Sequence, residues 1–396
     1  MFYPIKKLKR LTFILLFFQF ALVAKSQIIA DHSVVDRYDD IPQYWIDEVK
    51  KMLVNIGGES HSMGYQNGVN LLESFNPLYQ VSTFTSYPPP AESSSHLRLG
   101  RPWMVGEDIW TSQTGINNLI SQLADQNDNG NPYDVFAFGW CWDMHWINDP
   151  GGTEDPVHRV RWAGSSEGGP DGNRRWGLDS GDEALTGNSV SMDTYLSAIE
   201  QYNSWCEANN IPTKSIFTTG PVDDEEQPIG GTENGYQREL KQDHIRAYVA
   251  AGESRILFDY ADILCWNDAG EKNTVNWNDD GEIRPHAHIH PDNMMDYDNS
   301  WNIIPSSDSD GDHIGEVGAL RLAKAMWWLL ARIAGWDGNI PVEPVSQSIT
   351  LNTGWNILSF AVEPENPSLL SILQPLISEG SLIKLQDERG YAIQQL

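Results

Sequence analysis

Short apolar runs alternate with stretches of helical periodicity from about residue 44 to residue 335. Leu53–Ile56 and Val135–Phe138 are two such runs, and each is followed by glycine. A final apolar stripe at helical spacing ends at Gly335 and comprises Leu322, Met326, Leu329, Leu330 and Ile333. Strands that alternate with helices predict a parallel sheet covered on both faces. We therefore predict one α/β domain over residues 27–340.

The N-terminus has the composition of a secretory signal peptide. Basic residues between Lys6 and Arg10 precede an apolar run, Leu11–Ala24, which is short for a membrane span. Small residues at Ala24 and Ser26 match the positions that a signal peptidase reads. We predict a signal peptide over residues 1–26 and a secreted, extracellular or periplasmic protein that has no membrane contact after cleavage. An N-terminal membrane anchor is the alternative.

The overall composition limits the possible partners. The formal net charge is −29, which argues against nucleic acid and anionic membranes as partners. The chain has 16 Trp residues, and those that are not in the core suit a surface that stacks on sugar rings. Three cysteines permit at most one disulfide. A carbohydrate is the partner that this composition favours.

Two distant segments carry residues suited to nucleophilic catalysis. Ser60 follows a strand and the turn-forming pair Gly57-Gly58, where a following helix can direct N–H groups at developing negative charge. Asp310 lies three residues before His313, close enough to orient the imidazole as a general base. The alternatives are a helix cap at Ser60 or Ser62 and a polar surface turn around Asp310.

Both segments resemble blocks of the SGNH (GDSL-type) hydrolases. Residues 58–65, Gly-Glu-Ser-His-Ser-Met-Gly-Tyr, are similar to the first block of that family, Gly-Asp-Ser-x-Ser-x-Gly-Tyr. Residues 310–318 resemble the last block, Asp-Gly-x-His-x-x-x-x-Gly. The resemblance covers about residues 44–336. It implies a flavodoxin-like three-layer α/β/α sandwich and an esterase that acts on acylated sugars, with Ser60 as nucleophile, His313 as base and Asp310 as its orienter.

The resemblance also implies an oxyanion hole, which departs from the family pattern. The Ser60 N–H and a glycine N–H would contribute, and Gly106 fits that glycine best, with Gly100 and Gly115 left open. The third block supplies Asn in the family, but Cys141 or Trp142 stands there in this chain. Because the amide donor is missing, we expect either unusual chemistry or a substitute donor, and the indole N–H of Trp142 could donate.

Two long insertions predict the substrate-binding surface. They span Asp143–Ser191 and Asn267–Ser309, and loops of this length within a domain are usually functional or mobile. Clustered arginines in the first insertion suit a carboxylate or sulfate on a substrate, and pairing with neighbouring aspartates is the alternative. We predict substrate contacts from Trp140, Trp142, Asp143, Arg174 and Arg175.

We predict no metal and no cofactor. His286, His288 and His290 alternate in a loop, but no carboxylate spacing completes a metal site. Residues 125–130 match only the first half of a calcium loop, since Phe136 replaces the bidentate glutamate, and a polar turn is the better interpretation. No Cys-x-x-Cys spacing indicates zinc.

Residues 341–396 form a linker and part of a small β-rich module in our interpretation.

For the whole chain, a secreted carbohydrate esterase is the favoured function. One alternative keeps the fold but cleaves glycosidic bonds with paired carboxylates such as Asp143, Asp149 and Glu167. The other is a glycan-binding protein without catalysis, against which the presence of Ser60, Asp310 and His313 counts.

Overall fold

The computed structural model describes residues 27–58, 60–101, 109–110, 112–140, 150–154, 161–163, 192–222, 232–279, 281–294, 314–339, 353–357, 369–386, 389 and 391–394. The chain divides into two compact units, Met1–Ile340 and Pro341–Leu396. The predicted signal peptide lies outside the described residues. Within the part of the chain that the structure describes, no helix has both the length and the apolar character needed to span a bilayer.

Strands and helices alternate through the first unit. The strands of the chain are β1 (Ile28–Ala30), β2 (Leu53–Gly58), β3 (Val81–Phe84), β4 (Leu97–Gly100), β5 (Val135–Gly139), β6 (Pro150–Glu154), β7 (Arg161–Ala163), β8 (Lys214–Thr218), β9 (Ile256–Phe258), β10 (Thr274–Asp279), β11 (Glu282–Ala287), β12 (Lys384–Gln386) and β13 (Ala392–Gln394). The α-helices are α1 (Gln43–Val49), α2 (Met63–Phe75), α3 (Gln113–Asp128), α4 (Met192–Ala208), α5 (Thr232–Ala250), α6 (Tyr260–Cys265), α7 (Glu316–Ala334), α8 (Leu369–Ile372) and α9 (Gln374–Ser378).

Seven strands form one sheet in the order β1-β9-β8-β5-β2-β4-β3, and every neighbouring pair is parallel. Its five central strands, numbered along the chain, have the order 2-1-3-4-5 of a flavodoxin-like sheet. Strands β1 and β3 extend this sheet at its two edges. The direction in which successive strands are added to the sheet reverses between β2 and β5. Ligands of open α/β sheets bind outside the carboxyl ends of the strands at such a switch point.

Helices cover both faces of the sheet, so the predicted three-layer α/β/α architecture is confirmed. Val54 and Ile56 of β2 belong to the core beneath α1, α2 and α7. Leu53 of the same strand belongs to a second core, beneath α3, α4 and α5. Because successive side chains of a strand point to opposite faces, one short apolar run supplies both cores. Helix α7, the last helix of the first unit, ends as predicted, at Gly335, whose φ of 119° is left-handed.

Parts of the structure are more regular than the sequence indicates. Helix α2 begins at Met63, which brings its first turn close to Ser60. The second insertion has more regular structure than its sequence indicates, since β10 and β11 pair as an antiparallel hairpin within it. In the second unit, β12 and β13 also pair antiparallel, beyond the short helices α8 and α9.

Candidate functional site

Ser60 lies at the switch point of the sheet. It opens a short 3-10 helix, Ser60–Ser62, that connects the carboxyl end of β2 to α2. Ser62 occupies the position before the first residue of α2, yet its side chain makes no capping hydrogen bond there. The backbone therefore places Ser60 where a strand-to-helix turn can present a nucleophile, and Ser62 does not have the helix-capping role that was the alternative.

Glycines let the end of β5 approach this turn. Gly58 and Gly139 are paired in register across β2 and β5. A Cβ atom on Gly58 would collide with the carbonyl oxygen of Gly139, and a Cβ on Gly139 would lie 2.5 Å from the Cβ of Ser62. Real Cβ contacts are never so short, so both positions require glycine. The segments that resemble the first and third blocks of the hydrolase family therefore meet.

The segment after His313 packs against the start of α2, just after this turn. A Cβ atom on Gly64, four residues after Ser60, would lie 3.0 Å from the Cδ1 of Ile314. Ile314 is buried and forms an antiparallel bridge with Met294. Asp310 and His313 themselves lie outside the described residues. The structure thus brings Ile314, the residue after His313, to the start of the helix that follows Ser60.

Asn293 anchors this approach. The Gly315 N–H donates to the carbonyl oxygen of Asn293 at 2.8 Å. The Asn293 side chain is buried, and its Nδ2 donates to the carbonyl oxygens of Leu264 and Trp266, each at 2.8 Å. These hydrogen bonds connect the start of α7 to the end of α6, so the backbone beside His313 has a fixed position.

Trp140 is placed in the core and not at a substrate-facing surface. It is 2 % exposed, and its Nε1 donates to the carbonyl oxygen of Thr218 at 3.0 Å. Its ring packs among Trp110, Phe138 and Tyr195. The physical reason is side-chain alternation: Trp140 comes two residues after Phe138, just past the end of β5, and packs on the same face as Phe138. This placement corrects the predicted substrate contact.

The three glycines considered for the oxyanion hole have different positions. Gly100 is the last residue of β4 and lies under the ring of Phe84. Gly115 lies in the first turn of α3, where its N–H donates to the Oγ of Ser112 at 3.0 Å. Gly100 and Gly115 thus both have structural roles. Gly106 lies outside the described residues, as do Cys141, Trp142, Asp143, Arg174 and Arg175.

Two charged residues at the carboxyl edge of the sheet were missed. Arg101 directly follows β4, and its Nη1 lies 3.5 Å from the carbonyl oxygen of Gly58. Asp259 directly follows β9 and forms two hydrogen bonds with Arg246, at 2.6 and 2.8 Å. A charged residue immediately after a short apolar run is the sequence signal that identifies such positions, because carboxyl ends of parallel strands share one edge.

The carboxyl group of Asp259 is held ionised. Burial raises its pKa, but the charge and hydrogen bonds of Arg246 outweigh burial and lower the pKa below its ordinary value. The Oγ1 of Thr219 donates a further hydrogen bond to the carboxylate at 2.8 Å. These contacts connect β8, α5 and β9 at the edge where the candidate site lies, and we assign the pair a structural role.

The three alternating histidines serve separate structural purposes. His286 is buried beside Tyr236, and His288 is buried with its Nδ1 3.2 Å from the Nδ2 of Asn273. The Nδ1 of His290 accepts a hydrogen bond from the N–H of Asp292 at 3.1 Å.

The segment that resembles half of a calcium loop lies at a helix end. Residues 125–129 form the last turn of α3 and its cap, and Gly130 follows with a φ of 75°. This segment is therefore a helix end and a polar turn.

One close group of metal-ligating side chains occurs in the described residues, and the sequence analysis missed it. It comprises Asp31, His32 and Asp262, at the carboxyl end of edge strand β1. The Nδ1 of His32 lies 2.5 Å from the Oδ2 of Asp262, and its ring stacks on Trp266 with the centroids 3.9 Å apart. A hydrogen bond and a stacked ring account for this arrangement.

No protein-family model matches the chain, and no curated protein matches it. The chain is similar to the structure of a candidate acylhydrolase from Bacteroides fragilis, with 10% identity, a TM-score of 0.25, and coverage of 60% of this chain and 80% of that chain. It is also similar to a GDSL-like lipase from Bacteroides thetaiotaomicron, with 11% identity, a TM-score of 0.26, and coverage of 66% and 91%. Likeness at this level does not establish a shared activity.

Proposed function

We propose that this protein is a serine hydrolase that removes ester-linked acyl groups, such as acetyl, from a carbohydrate. One observation carries the proposal: Ile314, the residue after His313, packs against Gly64, which lies four residues after Ser60 in the first turn of α2. Nucleophile and base would then come from segments that are far apart in sequence. The turn at Ser60 follows β2 at the topological switch point, the usual ligand site of an open α/β sheet.

The proposed mechanism has two steps. The Oγ of Ser60 attacks the acyl carbonyl carbon while His313 takes its proton, and Asp310 holds the imidazole in the required tautomer. Collapse of the tetrahedral intermediate breaks the ester C–O bond, and His313 returns the proton to the leaving sugar hydroxyl. Water then attacks the acyl-enzyme with His313 again as base, which releases the carboxylic acid and restores Ser60.

The oxyanion hole is the unusual part of this site. The N–H groups of Ser60 and Gly106 would bind the oxyanion, and Cys141 or Trp142 stands where the family has Asn. Trp140 does not take that role, because its indole N–H donates to Thr218. Loss of one oxyanion donor typically lowers the rate by ~10²–10³. Slow turnover is expected unless the Trp142 indole donates instead.

Three features support a carbohydrate substrate outside the cytoplasm. The N-terminal sequence has the pattern of a signal peptide. The chain is rich in Trp. Trp142 and the long first insertion, which contains Asp143, Arg174 and Arg175, come after the end of β5 in the sequence. Tryptophan rings stack well on the apolar faces of sugars.

The decisive experiment compares two serines that are two residues apart. Ser60→Ala is expected to abolish acetate release from acetylated polysaccharide, whereas Ser62→Ala should retain most of it. Circular dichroism checks that both variants fold. Unchanged release by Ser60→Ala excludes Ser60 as the nucleophile. New reducing ends without acetate indicate the glycosidase alternative, and calorimetric glycan binding without any product indicates the binding-protein alternative.

A further inference from the structure

Asp31, His32 and Asp262 form a compact group at the carboxyl end of β1, an edge strand of the sheet. One potential ligand atom from each side chain lies within 4.8 Å of the other two. Asp31 and His32 directly follow β1, whereas Asp262 lies in the first turn of α6. The group therefore connects two elements whose contributing residues, His32 and Asp262, are 230 positions apart in the sequence.

The imidazole of His32 is held in a fixed orientation. The backbone N–H and the ring Nδ1 of His32 both contact the Oδ2 of Asp262, at 3.0 and 2.5 Å. The ring stacks on Trp266 with an interplanar angle of 10°, and the Nε1 of Trp266 donates to the Oδ1 of Asp262 at 3.3 Å. A side chain that its neighbours already orient loses little conformational freedom when it ligates a metal ion.

Asp31 makes neither of those contacts, yet its carboxylate approaches the same point. Its Oδ1 accepts hydrogen bonds from the N–H and the Oγ of Ser33, at 2.9 and 2.6 Å, and no described residue donates to its Oδ2. Within the described part of the chain, no lysine or arginine forms an ion pair with Asp31 or Asp262. Two carboxylates this close repel each other unless a positive charge lies between them.

The donor set suits a divalent transition metal. Imidazole nitrogen is a good ligand for Zn²⁺, whereas Ca²⁺ and Mg²⁺ prefer oxygen. One imidazole and two carboxylates supply three of the four ligands that Zn²⁺ takes, and water can supply the fourth. The side chains of His32 and Asp262 are 31 % and 19 % exposed, so an ion can reach them from solvent. The net charge of −29 also attracts cations.

We propose that Asp31, His32 and Asp262 bind one divalent transition metal ion, with Zn²⁺ as the best fit. The ion takes the place of the proton between His32 and Asp262 and fastens β1 to α6, so its role is structural. Three strands, β9, β8 and β5, lie between β1 and β2, so this site is separate from the turn at Ser60 and independent of the proposed hydrolase function. The sequence analysis expected no metal because His32 and Asp262 share no local spacing pattern.

The first test is calorimetric titration of Zn²⁺, and separately of Ca²⁺, into the untagged full chain. The wild type should bind one Zn²⁺ ion and much less Ca²⁺. His32→Ala is expected to weaken Zn²⁺ binding by about 100-fold or more, since loss of a residue that only orients a metal ligand already costs about 10- to 100-fold. Circular dichroism checks the fold of each variant.

Asp31→Asn separates a ligand from a turn-forming residue. Asparagine can still accept the hydrogen bonds of Ser33, so the stability of the metal-free protein should change little. Zn²⁺ binding should weaken, because the substitution removes the charge of one ligand. Wild-type Zn²⁺ affinity in Asp31→Asn would exclude Asp31 from the site.

His244→Ala is the matched control. The Nε2 of His244 lies 2.7 Å from the Oδ1 of Asp193, and the His244 side chain is 28 % exposed, but His244 belongs to no three-ligand group in the residues that the structure describes. This variant should bind Zn²⁺ as the wild type does. Zn²⁺ should raise the Tm of the wild type and of His244→Ala, and leave that of His32→Ala unchanged.

Trp266 reports where the ion binds. Bound Co²⁺ quenches the fluorescence of a nearby indole, and Trp266 stacks on the proposed ligand His32. The quenched component should be absent in Trp266→Phe, which keeps an aromatic ring for stacking. The inference is overturned if the wild type binds no Zn²⁺, if His32→Ala binds it as tightly as the wild type, or if Trp266→Phe shows the same quenching.

Discussion

The α-carbon of Gly139 faces Ser62 so closely that a Cβ atom at residue 139 would lie 2.5 Å from the Cβ of Ser62. This contact joins the end of β5 to the turn that follows β2. It also means that the geometry of the turn beginning at Ser60 depends on a residue almost eighty positions away in the sequence. Substitutions at Gly139 therefore test the site without altering any proposed catalytic group.

Gly139→Ala is expected to destabilise the fold by about 1–3 kcal/mol, as overpacking of a dense interior does. Acetate release should fall as well, because the added methyl group displaces the turn at Ser62. Urea denaturation and initial rates measure the two effects. Ser62→Gly removes the atom that collides, so the double variant should lose less stability than the sum of the two single variants. Strict additivity would contradict the proposed contact.

Ile314→Ala should separate packing from catalysis. Ile314 is 1 % exposed, and Ile46 of α1, which belongs to the same core, is 2 % exposed. Each substitution is expected to cost about 2–5 kcal/mol in unfolding free energy. Only Ile314→Ala should also lower kcat, by ~10-fold or more, because it loosens the neighbour of His313. Equal kcat values for the two variants would show that Ile314 does not position the base.

Two carboxylates that contact one guanidinium should differ sharply in energetic importance. The side chains of Asp259 and Asp243 are 5 % and 57 % exposed, and both pair with Arg246. Asp259→Asn should destabilise the protein by about 3 kcal/mol, since it leaves a partly buried charge without its counterion. Asp243→Asn should cost only about 0–1 kcal/mol because solvent screens an exposed pair. Equal costs from urea denaturation at neutral pH would rule out this assignment.

The contribution of Asp259 should also depend on pH. Its pKa in the folded protein is lower than its ordinary value of about 3.9. A carboxyl group with a lowered pKa stabilises the fold above its unfolded pKa, and this stability is lost as the pH falls through the folded pKa. The stability difference between the wild type and Asp259→Asn should therefore be full at pH 6 and shrink below about pH 4. A difference that stays constant down to pH 3 would argue against the ion pair.

The sequence predicts the layers of this fold better than the order of its strands. Apolar runs such as Val135–Phe138 are readable because a parallel strand buries both faces. The short strands β1 and β4, by contrast, contain too few residues for a periodic signal, and their pairing depends on distant partners. The hairpin of β10 and β11 could not be predicted either, because its residues are largely polar and exposed and so give no apolar pattern.

In the candidate site, too, some features could be predicted from the sequence and others could not. The segments around Ser60 and His313 can be recognised because short motifs carry their own turn chemistry, and their flanking residues meet in the structure. Trp140 was misplaced because its aromatic character was given more weight than the alternation of β5. Arg101 escaped notice because nothing in its local sequence indicates that Gly58 is its neighbour. In both cases the position of the residue relative to the end of its strand, and not its type, determines what the side chain contacts.

The bridge between Met294 and Ile314 has an implication for how such a protein can diversify. Met294 and Ile314 pair directly although they are twenty residues apart in the sequence, and entropy makes longer closed segments only slightly less favourable. Insertions or deletions between Met294 and Asp310 would thus leave the backbone at residue 314 where it is. Related proteins can acquire new substrate preferences by varying the length of that stretch while Asp310 and His313 keep their distance in sequence from Ile314.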